Sequence, residues 1–261
     1  MRVLKPPGRK IVVMLLLLLI AMAPVSARFV SRGPDRMNHV PRLVLWAWER
    51  PEDLRFINTD DTAVAFLADT IRLRAGDIAV RPRFQPLLVP DRAKLIAVTR
   101  IEADLRAALN QEQMARSVAA IATVASLPRV VAIQVDFDAT ASQRTFYHDL
   151  LVALRRRLGP DMPVSITALA SWCLDDDWIT GLPIDEAVPM LFRMGAGTGD
   201  VVTRIASGKN FRPALCQGSL GLASDERWTS LPTGRRIYLF HPQPWTRQAE
   251  LALLWEMHAW H

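Results

Sequence analysis

Eight short apolar segments recur along this chain, several of them separated by enough residues to form a helix. They are Leu43–Trp48, Ala63–Leu73, Leu95–Ile101, Val130–Phe137, Val164–Ala170, Ala187–Arg193, Ala214–Leu220 and Arg236–Phe240. Two of the intervening stretches carry helical periodicity. In Gln111–Ala125, residues Met114, Val118, Ile121 and Ala125 share one face. Ser142–Leu158 begins on a serine in N-cap position, turns Phe146, Leu150, Leu151 and Leu154 inward, and stops at Gly159-Pro160. Gly199–Ser207 is a shorter helix candidate, and Gln248–Trp260 is an amphipathic one that closes the chain. Strands that alternate with helices make a parallel sheet with crossovers. Eight such strands in roughly 230 residues fit an α/β fold of the (β/α)8 TIM-like barrel type.

The pattern breaks once. No helix is legible between the second and third strands. Arg74-Ala75-Gly76-Asp77 reads as a hairpin turn, followed by the extended, proline-punctuated run AVRPRFQPLLVP. An irregular barrel results. An open doubly wound sheet competes, but no glycine-rich fingerprint follows the first strand.

The N-terminus has the form of a targeting segment. Arg2, Lys5, Arg9 and Lys10 precede an unbroken apolar run, Ile11–Ala23, and Val25-Ser26-Ala27 offers a cleavage site. The run is short for a membrane span. The expected layout is a signal peptide over 1–27, a polar stretch over 28–40 and a single barrel domain over 41–261. No other long apolar run follows, so the exported chain, periplasmic or secreted, keeps no stable membrane span. An uncleaved N-terminal anchor is the alternative. In an oxidising compartment Cys173 and Cys216 can pair as a disulfide, or stay as two buried thiols.

The chain has 261 residues, half of them hydrophobic, and a formal net charge of +6. Its arginines are scattered, with short runs such as Arg155-Arg156-Arg157. Nucleic-acid binding needs a clustered basic patch, so it is not expected. An anionic surface or polysaccharide is compatible with this charge.

The most informative segment is VVAIQVDFD, Val130–Asp138. Ile133, Val135 and Phe137 alternate with Gln134, Asp136 and Asp138. One face is therefore apolar, and the other carries an amide and two carboxylates toward the strand's C-terminal end. Parallel α/β barrels place their chemistry at that end. Other strands end in Trp46, Trp48 and Glu49; in Arg100 and Glu102; in Ser171 and Trp172; and in Arg193. The last two lead to Asp225, Glu226 and Trp228, and to His241 with Trp245 beyond. Glycosidic bond cleavage commonly uses two carboxyl groups, one protonated and one ionised. Acids at i and i+2 on a strand lie about 6.5 Å apart, close enough for one to raise the other's pKa. Asp136 would then tune Asp138 as proton donor, with Glu102 or Glu226 as second carboxylate. Trp46, Trp48, Trp172 and Trp245 would pack against sugar rings, and Arg100, Arg193 and His241 would hold the substrate. Each has a blander reading: rim salt bridges for the acids and arginines, core packing for the tryptophans. Asp175-Asp176-Asp177 reads as a helix N-terminus, and His258-x-x-His261 as a frayed tail. No metal site and no cofactor is implied.

The strings QVDFDAT, SITALASWC, DEAVPMLFRMG, RPRFQPL and VTRIE together resemble a bacterial family called domain of unknown function 3142, over about Leu43 to His241. That family has no established activity, so the resemblance carries over no functional residue. More loosely, the VDFD strand is similar to the acid-bearing fourth strand of chitinase-like glycoside hydrolase barrels. Their pattern usually ends in Glu two residues after its last Asp, where this chain has Thr140. The expectation is an exported glycoside-hydrolase-like barrel acting on an envelope or extracellular polysaccharide. The alternative is a non-catalytic glycan-binding or structural envelope protein of the same fold.

Overall fold

The structure is a computed structural model and describes residues 36–105, 108–195, 198–227 and 231–258. The expected signal peptide over 1–27, Trp228 and His261 lie outside the described residues.

Eight parallel strands close into a ring. They are β1 (Leu43–Ala47), β3 (Thr62–Arg74), β6 (Leu95–Ala103), β7 (Val130–Asp136), β8 (Val164–Leu169), β9 (Glu186–Met190), β10 (Ser219–Ala223) and β11 (Arg236–Phe240). β1 pairs with both β11 and β3, which completes the circle. The short strands β2 (Glu52–Asp53) and β5 (Leu87–Leu88) pair with each other outside it. β4 (Asp77–Pro82) runs antiparallel to the end of β3, so the hairpin read from the sequence is present. α1 (Gln111–Ala125), α2 (Arg144–Leu158), α3 (Ala170–Leu174) and α4 (Thr198–Ala206) lie in the connections from β6 to β10, and α5 (Arg247–His258) follows β11. The β1–β3 and β3–β6 connections carry no helix. The fold is an irregular (β/α)8 TIM-like barrel.

Local sequence sets the helix starts. Asn110 caps α1, accepting from the Gln113 N–H at 2.9 Å while the Gln113 side chain accepts from the Asn110 N–H at 3.0 Å. Before α2 the chain makes a 3-10 turn at Ala141–Gln143, and the Gln143 side chain accepts from the Thr140 N–H at 2.9 Å. The helix therefore starts at Arg144, with Gln143 in the N-cap position, one residue later than the serine cap predicted. The seventh barrel strand also differs. Ala214–Cys216 is a 3-10 turn and the strand lies at Ser219–Ala223. Gly221 of that strand faces Met190, whose sulfur would sit 2.6 Å from a Cβ there, so only glycine lets the side chain of β9 fill the barrel.

Alternation sorts the strand residues into two apolar layers. Val44, Trp46, Ala65, Val98, Val188 and Tyr238 fill the ring. Ile133, Val135 and Phe137 face outward onto Tyr147, Leu150, Leu151 and Leu154 of α2. Burial of each such side chain contributes about 1.5–3 kcal/mol. The base of the ring is closed by the chain entering β1. Met37 and Val40 are buried against its interior, and Arg236 donates to the carbonyls of Met37 (2.7 Å) and Pro41 (3.2 Å). Arg236 also pairs with Glu186, which accepts from the Tyr238 hydroxyl at 2.7 Å.

Candidate functional site at the barrel mouth

The inward residues of β7 are Ala132, Gln134 and Asp136, so the period-2 reading of VVAIQVDFD describes the strand as it stands. Gln134 is fully buried between Trp46, whose indole N–H donates to it at 3.2 Å, and Ser165 at 3.2 Å. One layer higher, Asp136 accepts from the Thr167 hydroxyl at 2.7 Å. Arg100, its cross-strand neighbour on β6, stands 3.7 Å away. Burial pushes the Asp136 carboxyl above the usual carboxylate range; Thr167 and Arg100 oppose this, while Asp138 and Glu102 add to it. Asp138 lies just past the strand end, exposed, and makes no hydrogen bond or ion pair among the described residues. The raised carboxyl is thus the deeper of the two. The two acids sit in unlike surroundings, one beside a hydroxyl and a guanidinium, the other open to solvent.

Arg100 reaches Glu102 at 3.4 Å and lies over the Trp48 ring at 5.4 Å. Glu102 accepts from Arg72 at 2.8 Å, and that bond holds its carboxyl below its ordinary range. Glu102 is accordingly an ionised rim group.

On the opposite side of the ring, Arg193 pairs with Asp225 at 2.8 Å and Glu226 at 2.9 Å, and its N–H also donates to Glu226 at 3.0 Å. These bonds hold Arg193 in the left-handed region, φ 54°. They also lower the Asp225 carboxyl, chiefly through the guanidinium hydrogen bond. Glu226 is therefore engaged by an arginine. His241 shares a 2.5 Å hydrogen bond with Ser224, and burial, with Arg50 nearby, lowers its pKa, so the ring is neutral at pH 7.

The tryptophans divide. Trp48 is half-buried at the mouth. Three others are corrections to the expected sugar platform. Trp46 is 4% exposed within the ring. Trp172 sits on α3, outside the ring, 4.9 Å from the Trp178 ring. Trp245 is 3% exposed, and its indole N–H donates to the Trp46 carbonyl at 2.8 Å. Each packs too deeply to meet a ligand. The mouth has other aromatic surface instead. Phe192 and Phe240 stack at 5.6 Å, and Phe192 meets Trp46 edge-on at 6.2 Å. Continuing the inward alternation of Met190 and Tyr238 by two residues would have found both phenylalanines. The same rule from Ser165 gives Thr167.

Cys173, on α3, and Cys216, in the turn before β10, form a disulfide with a Cα–Cα distance of 5.9 Å. It ties the β8–β9 connection to the approach of β10. Asp175, Asp176 and Asp177 each pair with a separate arginine, namely Arg204, Arg144 and Arg212. They follow α3 as solvated ion pairs and do not start a helix.

Fold and mouth together define a (β/α)8 barrel with a carboxylate–arginine site at the C-terminal ends of its strands. Residues 91–188 match the family model described as Domain of unknown function (DUF3142). That stretch contains Arg100, Glu102, Asp136, Asp138 and Thr167. It includes VTRIE, QVDFDAT and SITALASWC; RPRFQPL precedes it and DEAVPMLFRMG crosses its end, so it is shorter than the extent read from the sequence. No curated protein matches the chain. Among solved structures it is similar to the chitinase domain of the spore coat protein CotE from Clostridium difficile, at 14% identity and a TM-score of 0.39. The similarity covers 64% of this chain and 53% of that one, so the chain spans about half the length of the structure it matches.

Proposed function

We propose that this protein is an exported, glycoside-hydrolase-like barrel that cleaves an envelope or extracellular polysaccharide at its mouth. The observation that carries the reading is the Asp136–Asp138 pair: one carboxyl partly buried and raised above its ordinary value, the other open to solvent. Asp136 gives its proton to the leaving glycosidic oxygen as the C–O bond breaks. Asp138 faces the positive charge that develops on the sugar ring; water then bonds its oxygen to the anomeric carbon and its released proton returns to Asp136. This reverses the roles first expected, since burial favours Asp136 as the proton holder. Trp48, Phe192 and Phe240 provide apolar faces for the sugar. Glu102 and Glu226, each engaged by arginine, hold the rim. Export is supported by the N-terminal sequence and by the disulfide, which persists in oxidising compartments.

The test is release of reducing ends from a panel of bacterial polysaccharides. The expected result is turnover on at least one, falling about 10²–10⁴-fold in Asp138→Asn with an unchanged circular dichroism spectrum. Full activity of that variant removes the assignment. One observation favours a second reading. Thr140, where the chitinase-like pattern has Glu, uses its N–H and hydroxyl in the turn before α2. Glycan binding without turnover, indifferent to Asp138→Asn, is the signature of a non-catalytic binding protein.

A further inference from the structure

The hairpin that replaces a crossover helix builds one wall of the mouth. β1 pairs with β3 over Thr62–Phe66, and β4 takes its place over Asp69–Arg74. The wall therefore rises where β1 ends. Alternation sorts its side chains. Ile71, Leu73 and Ile78 enter the apolar layer. On the other face Arg72 reaches Glu102, and Arg81 reaches Glu49 at 2.6 Å. Arg74 follows Arg72 on that face, exposed, with no ion pair among the described residues. Arg83 anchors the wall by donating to the carbonyls of Trp48 and Arg50, each at 2.5 Å.

The guanidinium groups of this wall are unequally paired. Arg72, Arg100 and Arg81 all act on the single carboxylate of Glu102. Arg100 has only long contacts, 3.4 Å and 3.7 Å, to its two acids. Arg72 and Arg81 have close ion-pair partners, Glu102 and Glu49, whereas Arg100 and Arg74 do not. Asp77, opposite Arg74, accepts from the N–H of Ile78 and makes no close ion pair with that arginine among the described residues.

We propose that this wall is a subsite for an anionic sugar unit, bearing a carboxylate or a phosphate, so that the mouth takes an acidic polysaccharide. The inference rests on the glycan reading of the mouth and adds the substrate class. Guanidinium groups bind carboxylate and phosphate through paired N–H donors. Arg100 links the wall to Asp136, its neighbour across β6 and β7, so an anion held here lies beside the proposed reacting centre.

The test is calorimetric titration of the purified protein with hexagalacturonate, cellohexaose and a mannose-6-phosphate oligosaccharide. An anionic ligand should bind about tenfold or more tighter than cellohexaose, as charge-assisted hydrogen bonds imply. Which anion gains separates carboxylate from phosphate. Arg74→Gln with Arg81→Gln should erase the margin. Arg156→Gln with Arg157→Gln, the same charge change at the end of α2, should keep it. The subsite is overturned by no margin at all, by a margin that survives the wall variant, or by one that falls equally in the helix variant. Hydrolysis is scored separately. A margin without bond cleavage removes the hydrolase reading and keeps the subsite; cleavage without a margin does the reverse.

Discussion

The two ends of the barrel use the same residue types to different ends. At the base, Glu186 lies between Arg236 and Tyr238, and Arg236 spends its remaining donors on carbonyls of the chain that seals the ring. At the mouth, Asp136 has one hydroxyl donor and a guanidinium at 3.7 Å, and Asp138 has no partner among the described residues. Both ends set an inward carboxylate beside an arginine, fully buried at the base and partly buried at the mouth. Only the base satisfies the pair fully. A fully satisfied buried network fixes geometry. Desolvation with incomplete partners raises an acid's pKa, which marks a candidate for proton transfer. Partner count, not residue identity, is therefore what separates scaffold from candidate chemistry here.

The comparison can be broken most easily at the base. Arg236→Met leaves Glu186 buried without its cation and should cost about 3–5 kcal/mol in denaturant unfolding; a loss below that range would mean that the base is looser than its hydrogen bonds imply. A smaller effect separates the ends by pH. The folded state raises Asp136 above its ordinary value, so its stabilising contribution is complete below the usual aspartate range and fades as pH rises through the raised value. Asp136→Asn has no proton to lose. Melting temperatures compared across that range should show wild type losing ground to the variant with rising pH, and parallel curves would mean an unperturbed acid. The smallest effect concerns the rim. Arg72 and Glu102 are both largely exposed, at 48% and 40%, so Arg72→Gln should change stability by under about 1 kcal/mol. A larger loss would make the rim as structural as the base.

Much of this was legible in the sequence because it is local. The alternation in VVAIQVDFD fixed which residues face the ring and which face α2, and a turn at Gly76 marked the hairpin. What was not legible depends on depth. Trp46 and Trp48 have the same parity on β1, yet one layer of strand rise separates a buried core ring from a rim surface. Trp172 was read as a strand end, but the chain turns into α3 at Ala170. The seventh strand slipped because residues 214–223 alternate too weakly to fix its bounds, and the disulfide turn at Cys216 occupies its predicted start. Phe192 and Phe240 were reachable by the rule that found Asp136, applied two residues beyond Met190 and Tyr238.

The most direct measurement crosses the two ends in one experiment. Asp136→Asn and Glu186→Gln each neutralise one inward carboxylate, and for each variant both thermal stability and polysaccharide turnover are recorded. Turnover should be lost in Asp136→Asn with melting temperature held or raised, whereas Glu186→Gln should lose stability and keep turnover in its folded fraction. Turnover that survives in Asp136→Asn, or a loss of stability as large as that of Glu186→Gln, would contradict the assignment of chemistry to the mouth.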